Sequence, residues 1–350
     1  MELPINQVIH GNCVDILNRF PEESIDMVMF SPPYWWARDF GQESVAFYGG
    51  KDDCQHQFAT RHTRREGGNF CVKCGGWMGE LGLECDLHIH INNINLICGT
   101  IQRILKKSGS LFLNIGDTYG THSGNLKPRS SLFKTAEVSD RIGLTMKKLF
   151  SKPSDNFVLE KNLFLIPTRV AIALQDAGWI LRNDITWYKT SVLHTGAKDR
   201  LTNTSEHILW FVKSTEYFCD LNSVEVSCTG VLGLEGKKKN PGDVWLINAK
   251  PRNGGIGAYP EEICEIPIKM CCPESGIVLD PMCGIGTTCI AAKRLCRKFI
   301  GIDIASENVL IAQDRLLEVC PKCGSNTIVA KNLGKIVCMN CDYEDTLIKQ

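Results

Sequence analysis

Seven stretches of this chain have the length and apolar content of buried β-strands. They are separated by turn residues or by segments with helical spacing, such as 167–178, which ends at a glycine. This alternation predicts an α/β protein with a mixed seven-stranded sheet, helices on both faces and ligands bound at the carboxyl ends of the strands. The predicted strands are 7–10, 25–30, 110–115, 179–188, 207–213, 276–280 and 299–303.

The strongest nucleotide-binding pattern follows the sixth predicted strand. That strand ends at Asp280, a tight Gly-x-Gly turn contains Gly284 and Gly286, and a helix follows. The last predicted strand ends in a second carboxylate, Asp303, which is placed to accept hydrogen bonds from both ribose hydroxyls of a nucleotide. Cys289 occupies the position of the third glycine in the dinucleotide fingerprint, which disfavours a nicotinamide cofactor.

The tetrapeptide Ser31-Pro32-Pro33-Tyr34 directly follows the second predicted strand. The Ser31 hydroxyl and the Pro32 carbonyl can accept two hydrogen bonds, and the prolines stiffen the backbone and remove two N–H donors. Such acceptors can hold the N–H groups of an exocyclic base amine, so that its lone pair faces a methyl donor. Tyr34 offers a flat face on which an extruded base can stack. The alternative is a simple turn after a buried strand.

Together, the two motifs resemble those of the β class of DNA amino-methyltransferases. In that family Asp-Pro-x-x-Gly-x-Gly-Thr-Thr is the S-adenosylmethionine loop, and Ser-Pro-Pro-Tyr resembles the catalytic loop. Here the catalytic loop precedes the cofactor loop, an order that a circularly permuted Rossmann-like methyltransferase fold explains. The resemblance covers roughly residues 5–45 and 95–318 and implies a catalytic domain over 1–318.

The resemblance implies a role for each matching position. It implies a catalytic set of Ser31, Pro32, Pro33 and Tyr34, and a cofactor-binding set of Asn12, Cys13, Asp280, Pro281, Cys283, Gly284, Gly286, Thr287 and Asp303. The chain departs from the family at Met282, where Phe is usual, and at Ile285, where Ser is usual. It also has Asn12 where an Asp often follows the glycine. The family assigns contacts with the adenine of the cofactor to this position.

The resemblance also implies methyl transfer from S-adenosylmethionine to an exocyclic amine of a flipped base in double-stranded DNA. Within the family, Ser at the first catalytic position is more typical of cytosine N4 transfer and Asp of adenine N6 transfer, so Ser31 favours cytosine. Because Ser31 is neutral, it can orient the amine but cannot act as a strong base, and we expect the proton to leave to water. Three alternatives remain open: an adenine-N6 enzyme, a catalytically silent zinc-bearing DNA-binding protein, and a methyltransferase for RNA or protein amines.

The carboxyl-terminal cysteines have zinc-ribbon spacing. Cys320-x-x-Cys323 and Cys338-x-x-Cys341 predict a small ribbon over 319–350, in which a hairpin between 327 and 337 brings the two pairs together. Four thiolates would complete a tetrahedron and exclude a catalytic water, so the predicted site is structural.

A second set of candidate zinc ligands lies in a predicted insertion over 45–90. Cys54 and His56 are followed by Cys71 and Cys74, and glycine pairs flank the second half of the set. Either Cys85 or His62 could replace one of these ligands. The alternative is a loop that contains redox-inert cysteines.

Composition sets the outer limits of the prediction. Lys+Arg and Asp+Glu are both 39, so net charge gives no support for nucleic-acid binding, and local basic clusters must provide it. No apolar run reaches about 18 residues and no secretion signal begins the chain, so we expect a soluble, cytoplasmic protein without a membrane partner. DNA recognition is predicted in the irregular segments 118–160 and 190–241, and a cognate restriction endonuclease is a candidate functional partner.

Overall fold

The computed structural model describes residues 2–51, 53–58, 68–84, 86–120, 161–191, 197–228, 236–249, 258–325, 327–330, 335–338 and 340–346. Its α-helices are α1 (Cys13–Leu17), α2 (Leu87–Ile104), α3 (Ile166–Asp176), α4 (Glu261–Cys271), α5 (Thr287–Arg294) and α6 (Ser306–Leu317). Its strands are β1 (Gln7–His10), β2 (Ile25–Phe30), β3 (Val45–Tyr48), β4 (Asn69–Phe70), β5 (Trp77–Glu80), β6 (Leu105–Ile115), β7 (Ile180–Tyr188), β8 (Ser205–Val212), β9 (Val226–Ser227), β10 (Lys238–Lys239), β11 (Val244–Leu246), β12 (Ile277–Asp280), β13 (Lys298–Asp303), β14 (Thr327–Ala330), β15 (Lys335–Cys338) and β16 (Glu344–Thr346).

The chain divides into two compact units. Unit 1 comprises Met1–Ser31, Thr100–Asn114 and Gly178–Gln350, and unit 2 comprises Pro32–Gly99 and Ile115–Ala177. Unit 1 contains the large sheet, whereas unit 2 contains a small antiparallel sheet of order β3-β5-β4.

The large sheet is mixed, as predicted, and its strand order is β1-β13-β12-β2-β6-β8-β7-β11. The five strands from β1 to β6 in this order run parallel, whereas β7 is antiparallel to β8 and parallel to β11. The prediction of seven strands was wrong, because the sheet has eight. The additional strand, β11, has three residues, of which only Trp245 is buried, so it is too short to produce a recognisable apolar pattern.

Strands from the two ends of the chain are neighbours in this sheet. In β1, Gln7 pairs with Ile300 of β13, and in β2, Met27 pairs with Val278 of β12. This is the arrangement that a circular permutation requires.

The core of unit 1 surrounds β2, whose six residues are all buried. One of them is a carboxylate, Asp26, which accepts hydrogen bonds from the Lys106 ammonium at 2.7 Å and from the backbone N–H of Ile277 at 2.9 Å. Burying a charge without such partners would be costly, so this carboxylate connects the beginnings of three adjacent strands. Nearby, Phe112 and Trp210 stack with ring centroids 5.5 Å apart.

The predicted carboxyl-terminal hairpin forms, since β14 and β15 pair antiparallel and β16 adds a third strand. This small sheet belongs to unit 1. A Cβ atom built on Gly324 would lie 2.0 Å from the carbonyl oxygen of Arg294, so the turn after Cys323 packs directly against the end of α5.

Parts of the candidate recognition segments, 121–160, 192–196 and 229–235, lie outside the described residues. Within the part of the chain that the structure covers, no helix has both the length and the apolar character needed to cross a membrane.

Candidate active site

The carboxyl ends of the parallel strands in unit 1 share one edge of the sheet. Asn12 follows β1, Asp303 ends β13, Asp280 ends β12 and Ser31 follows β2. The fold therefore brings residues from both ends of the chain to the same edge, which is where α/β sheets bind ligands.

Asp280 is the centre of a buried hydrogen-bond network. Only 2% of its surface is exposed, and its Oδ2 accepts hydrogen bonds from the Thr288 hydroxyl at 2.6 Å and from the Tyr259 hydroxyl at 3.3 Å. Its Oδ1 accepts a bond from the backbone N–H of Met282 at 3.1 Å. Burial raises the pKa of Asp280 to about 7, although these hydrogen bonds oppose the rise. The carboxyl group therefore changes its charge near neutral pH.

Asp303 is hydrogen-bonded to the backbone of the glycine loop. Its Oδ2 accepts a hydrogen bond from the backbone N–H of Gly284 at 2.8 Å, and its Oδ1 accepts bonds from the Ala305 N–H at 2.9 Å and the Asn308 amide at 3.0 Å. A carboxylate offers about four acceptor positions. These three bonds leave room for a further donor, such as a ribose hydroxyl.

The two glycines of this loop have different surroundings. Both have positive φ angles, +51° at Gly284 and +80° at Gly286. A Cβ atom on Gly286 would lie 2.9 Å from the Cβ of Ala312 in α6, so this glycine allows the loop and the helix to pack. Among the described residues, no atom comes within 4 Å of a Cβ atom on Gly284, so a ligand could approach the backbone there.

The other predicted cofactor-binding residues are mostly structural in their visible contacts. The side chain of Asn12 caps α1 by accepting a hydrogen bond from the Val14 N–H at 2.7 Å. Burial raises the pKa of the Cys13 thiol to about 12, so this thiol is neutral. Pro281, Cys283 and Thr287 are buried.

Unit 2 packs closely around the rest of the predicted catalytic loop. A Cβ atom on Gly82 would lie 2.9 Å from the Cβ of Pro33, and one on Gly116 would lie 2.6 Å from the Tyr34 ring. The ring of Tyr34 therefore rests on a position where only glycine fits, and Gly82, with a φ of +92°, supports Pro33.

A buried polar network lies next to this loop, and no sequence motif indicated it. The carbonyl oxygen of Glu84 accepts hydrogen bonds from the indole N–H groups of Trp35 at 3.0 Å and Trp36 at 2.7 Å. The Glu84 side chain is fully buried and accepts bonds from His90 at 3.0 Å and Asn93 at 3.1 Å. Tyr259, whose hydroxyl donates to Asp280, is likewise absent from the predicted site residues. In both cases the partners are distant in sequence or differ in secondary structure, so no local pattern joins them.

Each predicted set of metal ligands comes together. In the ribbon, Cys320 and Cys341 have their sulfur atoms 3.7 Å apart, and those of Cys323 and Cys338 are 3.5 Å apart. Backbone N–H groups of Lys322 and Asn340 donate to two of the sulfurs at 3.3 Å. Sulfur atoms of a tetrahedral zinc site are about 3.8 Å apart. The residues present therefore fit zinc.

The second set lies in unit 2. The sulfur atoms of Cys54 and Cys71 are 3.8 Å apart, and Cys74 Sγ lies 3.5 Å from Nδ1 of His56. All four ligand atoms lie within 4.8 Å of one another, so these residues also fit a zinc ion. The suggested substitutes, His62 and Cys85, lie outside the described residues.

Comparison with known proteins identifies the family of this chain. Residues 25–314 match a family of N6/N4 methyltransferases described as DNA methylase. The chain is 30% identical to the type II methyltransferase M.XycI of Xanthomonas campestris pv. cyanopsidis over 311 residues, which is 88% of this chain and 87% of that protein. It is 27% identical to M.SmaI of Serratia marcescens over 312 residues, which is 89% of this chain and 90% of that protein.

Solved structures share the fold. The PvuII DNA methyltransferase, described as cytosine-N4-specific, superposes with a TM-score of 0.55 at 18% identity and covers 88% of this chain and 85% of its own. A protein of Thermus thermophilus, described as a DNA modification methylase complexed with S-adenosyl-L-methionine, gives a TM-score of 0.52 at 19% identity, with 89% and 92% covered.

Proposed function

Because the chain belongs to the DNA methylase family of N6/N4 methyltransferases, we propose that it transfers a methyl group from S-adenosylmethionine to the exocyclic N4 amine of a flipped cytosine in double-stranded DNA. The observation that supports this most is the position of Ser31, which follows β2, beside Asp280 at the end of the adjacent strand β12. The proposal thus places Ser31, which accepts a hydrogen bond from the amine, and the cofactor loop at the ends of neighbouring strands.

S-adenosylmethionine supplies an electrophilic methyl group on a positively charged sulfur. In the proposed complex, Asp303 accepts a hydrogen bond from a ribose hydroxyl, and the carboxylate of Asp280 faces the charged methionine moiety. Gly284 lets the backbone approach the ligand, since the space beside it is open among the described residues. The polar partners of both carboxylates hold them in place before the ligand arrives.

The catalytic loop would orient the base. The Ser31 hydroxyl and the Pro32 carbonyl accept hydrogen bonds from the two N–H groups of the amine, and its lone pair then faces the methyl group. Pro33 stiffens the loop, and Tyr34 stacks on the extruded base. Ser31 takes up no proton in this scheme, so the proton leaves to water after transfer. The assignment to cytosine rests on Ser31, since a carboxylate at this position is more typical of adenine.

We also propose one structural zinc ion for each cluster of ligands, and a division into a catalytic domain over 1–318 and a ribbon over 319–350. DNA recognition is assigned to 118–160 and 190–241, with a contribution from the insertion over 45–90. The named relatives are type II methyltransferases. By analogy, a cognate restriction endonuclease would be a functional partner, from which methylation protects the DNA.

Transfer of labelled methyl groups tests the proposal. Purified protein, incubated with labelled S-adenosylmethionine, is expected to methylate duplex DNA and to leave RNA unmodified. Ser31→Ala removes one acceptor for the amine, so we expect it to lower kcat about 100-fold while S-adenosylmethionine binds with unchanged affinity. Binding of DNA without methyl transfer to any duplex tested would contradict the proposal and favour a catalytically silent protein.

A further inference from the structure

We infer that a zinc ion held by Cys54, His56, Cys71 and Cys74 positions the catalytic loop, so that methyl transfer depends on a metal that never contacts the substrate. The contacts described below concern the part of this loop from Pro32 onward and the two tryptophans that follow it, residues 32–36. The effect on catalysis rests on the proposed function, but the structural coupling does not. Every contact that carries the inference lies within unit 2.

The four ligands connect two separate chain segments. Cys54 and His56 lie between β3 and β4, whereas Cys71 and Cys74 lie in the turn between β4 and β5. That turn is tight, since the Cys71 N–H donates to the carbonyl of Gly76 at 2.8 Å and the Gly75 N–H donates to the carbonyl of Cys71 at 2.9 Å. A metal ion at the centre of the ligands would fix the start of β5.

The small sheet is built from short strands, and its own packing includes the buried pair Tyr48 and Trp77, with ring centroids 5.6 Å apart. Its strand β4 has two residues, and β3 and β5 have four each. The ring of Phe47 packs on the His56 imidazole with centroids 4.2 Å apart, and a Cβ atom on Gly76 would lie 2.1 Å from the Phe47 ring. A structural zinc ion stabilises a small zinc domain far more than one such ring contact does.

The strand β5 leads from the metal ligands to the segment that contacts the catalytic loop. It begins three residues after Cys74 and ends at Glu80, and we call the segment 80–84 the clamp. Glu80 Oε1 accepts a hydrogen bond from the Phe40 N–H at 2.6 Å, and the Gly82 carbonyl accepts one from the Trp36 N–H at 2.7 Å. The clamp therefore holds the backbone at Trp36 and Phe40, directly after the prolines of the catalytic loop.

The other end of the clamp is anchored independently of the metal. The Glu84 carboxylate accepts hydrogen bonds from His90 and Asn93 of α2. Its backbone carbonyl accepts hydrogen bonds from the indole N–H groups of Trp35 and Trp36. Since Gly82 already lies against Pro33, the segment has no space in which to shift without moving the loop. Loss of the metal should release the β5 end and weaken the bonds to Trp36 and Phe40, while the Glu84 end stays in place.

The experiment compares three single substitutions by zinc analysis and by hydrogen exchange with mass spectrometry. Cys74→Ser is expected to remove one equivalent of zinc, to speed amide exchange in peptides over 32–40 at least tenfold, and to leave peptides over 277–303 unchanged. Cys323→Ser should also remove one equivalent, from the ribbon, without altering exchange over 32–40. Cys296→Ser, an exposed cysteine outside both clusters, should change neither quantity.

Kinetics on the same proteins connect the coupling to catalysis. For Cys74→Ser we expect kcat to fall at least tenfold, whereas KM for S-adenosylmethionine should stay within about twofold. Cys74→His keeps a zinc ligand and should restore much of both the exchange protection and kcat. A general loss of folding would instead raise KM and exchange throughout the chain.

Two results would overturn the inference: absence of zinc from this cluster in the purified wild-type protein, or unchanged exchange over 32–40 after the zinc is lost. If Cys74→Ser does not fold, the wild-type protein is treated with a chelator and zinc is then added back, and exchange over 32–40 should rise and return. The exchange measurement needs no methyl transfer, so it remains decisive if the wild type proves inactive on DNA. Conversely, an active wild type with metal-independent exchange would contradict only the coupling.

Discussion

Asp280 is the residue at which burial and the charge of the proposed ligand would oppose each other most directly. Its pKa, raised by burial to about 7 from an ordinary value of 3.8, means that folding favours the protonated form. The associated contribution to stability is fully present below about pH 4 and is lost as the pH rises through about 7. A positively charged ligand favours the other form, the carboxylate.

We therefore predict that affinity for S-adenosylmethionine increases as the pH rises from about 5.5 to about 8. Below pH 7 the dissociation constant should rise by up to about tenfold per pH unit, because binding must then release a proton. Calorimetric titrations in buffers of different ionisation enthalpy measure both the affinity and the released proton. Asp280→Asn is the control, which should bind more weakly and without the pH dependence. A wild-type affinity that is flat across this range would show that Asp280 does not face the charged part of the ligand.

Which residues could be predicted from sequence depended on whether their chemistry is local. Ser31, Asp280 and Asp303 each end or follow a strand, so their placement at one sheet edge followed from the strand pattern together with the family resemblance. Tyr259 and Glu84 could not be found in this way. Their roles come from partners on other elements, and a single sequence carries no signal of such contacts.

The loop between β12 and α5 combines a proposed ligand site with a packing contact. Gly284 and Gly286 both have positive φ, but only Gly286 is in close contact with a neighbouring helix. The two glycines therefore form a matched pair of positions for substitution.

We predict that Gly284→Ala lowers the free energy of unfolding by about 1–2 kcal/mol through backbone strain, and weakens S-adenosylmethionine binding at least tenfold. Gly286→Ala should lower the free energy of unfolding by the same strain term plus about 1–3 kcal/mol from the clash with Ala312. Denaturant unfolding and ligand titration measure the two effects separately. Adding Ala312→Gly to Gly286→Ala should recover part of the stability lost through the clash. Adding it to Gly284→Ala should recover none. Equal destabilisation by both single substitutions would contradict this account of the loop.

Strand length did not decide how accurately the strand bounds were predicted. The strands at 7–10 and 25–30 have the predicted bounds, and in β2 every residue is buried, with Asp26 the one charged residue in an otherwise apolar run. The strand β6 begins at Leu105 rather than 110, since Lys106 and Lys107 interrupt the apolar pattern. The very short β11 was missed for the related reason that it buries a single side chain.

At the scale of the whole molecule, the sheet explains why the two motifs stand in inverted order along the chain. The strands β1 and β2 lie on either side of the pair β13 and β12, so residues from the beginning and the end of the chain reach the same edge. This could be inferred from the order of the motifs. The identity of the target base could not, because it depends on how one neutral hydroxyl group and a recognition region arrange the DNA.

The equal numbers of acidic and basic residues also leave DNA binding to local surfaces. Much of the region to which we assign recognition lies outside the described residues, so the sequence that is read must come from experiment. The chemistry at the methylated base is accessible independently of that sequence.

Identification of the methylated nucleoside is the most direct test of the central claim. DNA treated with the purified protein and S-adenosylmethionine is digested to nucleosides and analysed by mass spectrometry, with the Ser31→Ala protein as the control. We predict N4-methyldeoxycytidine as the product, at a level that Ser31→Ala reduces about 100-fold. N6-methyldeoxyadenosine as the dominant product would contradict the assignment to cytosine, and the absence of any methylated nucleoside would contradict the proposed activity itself.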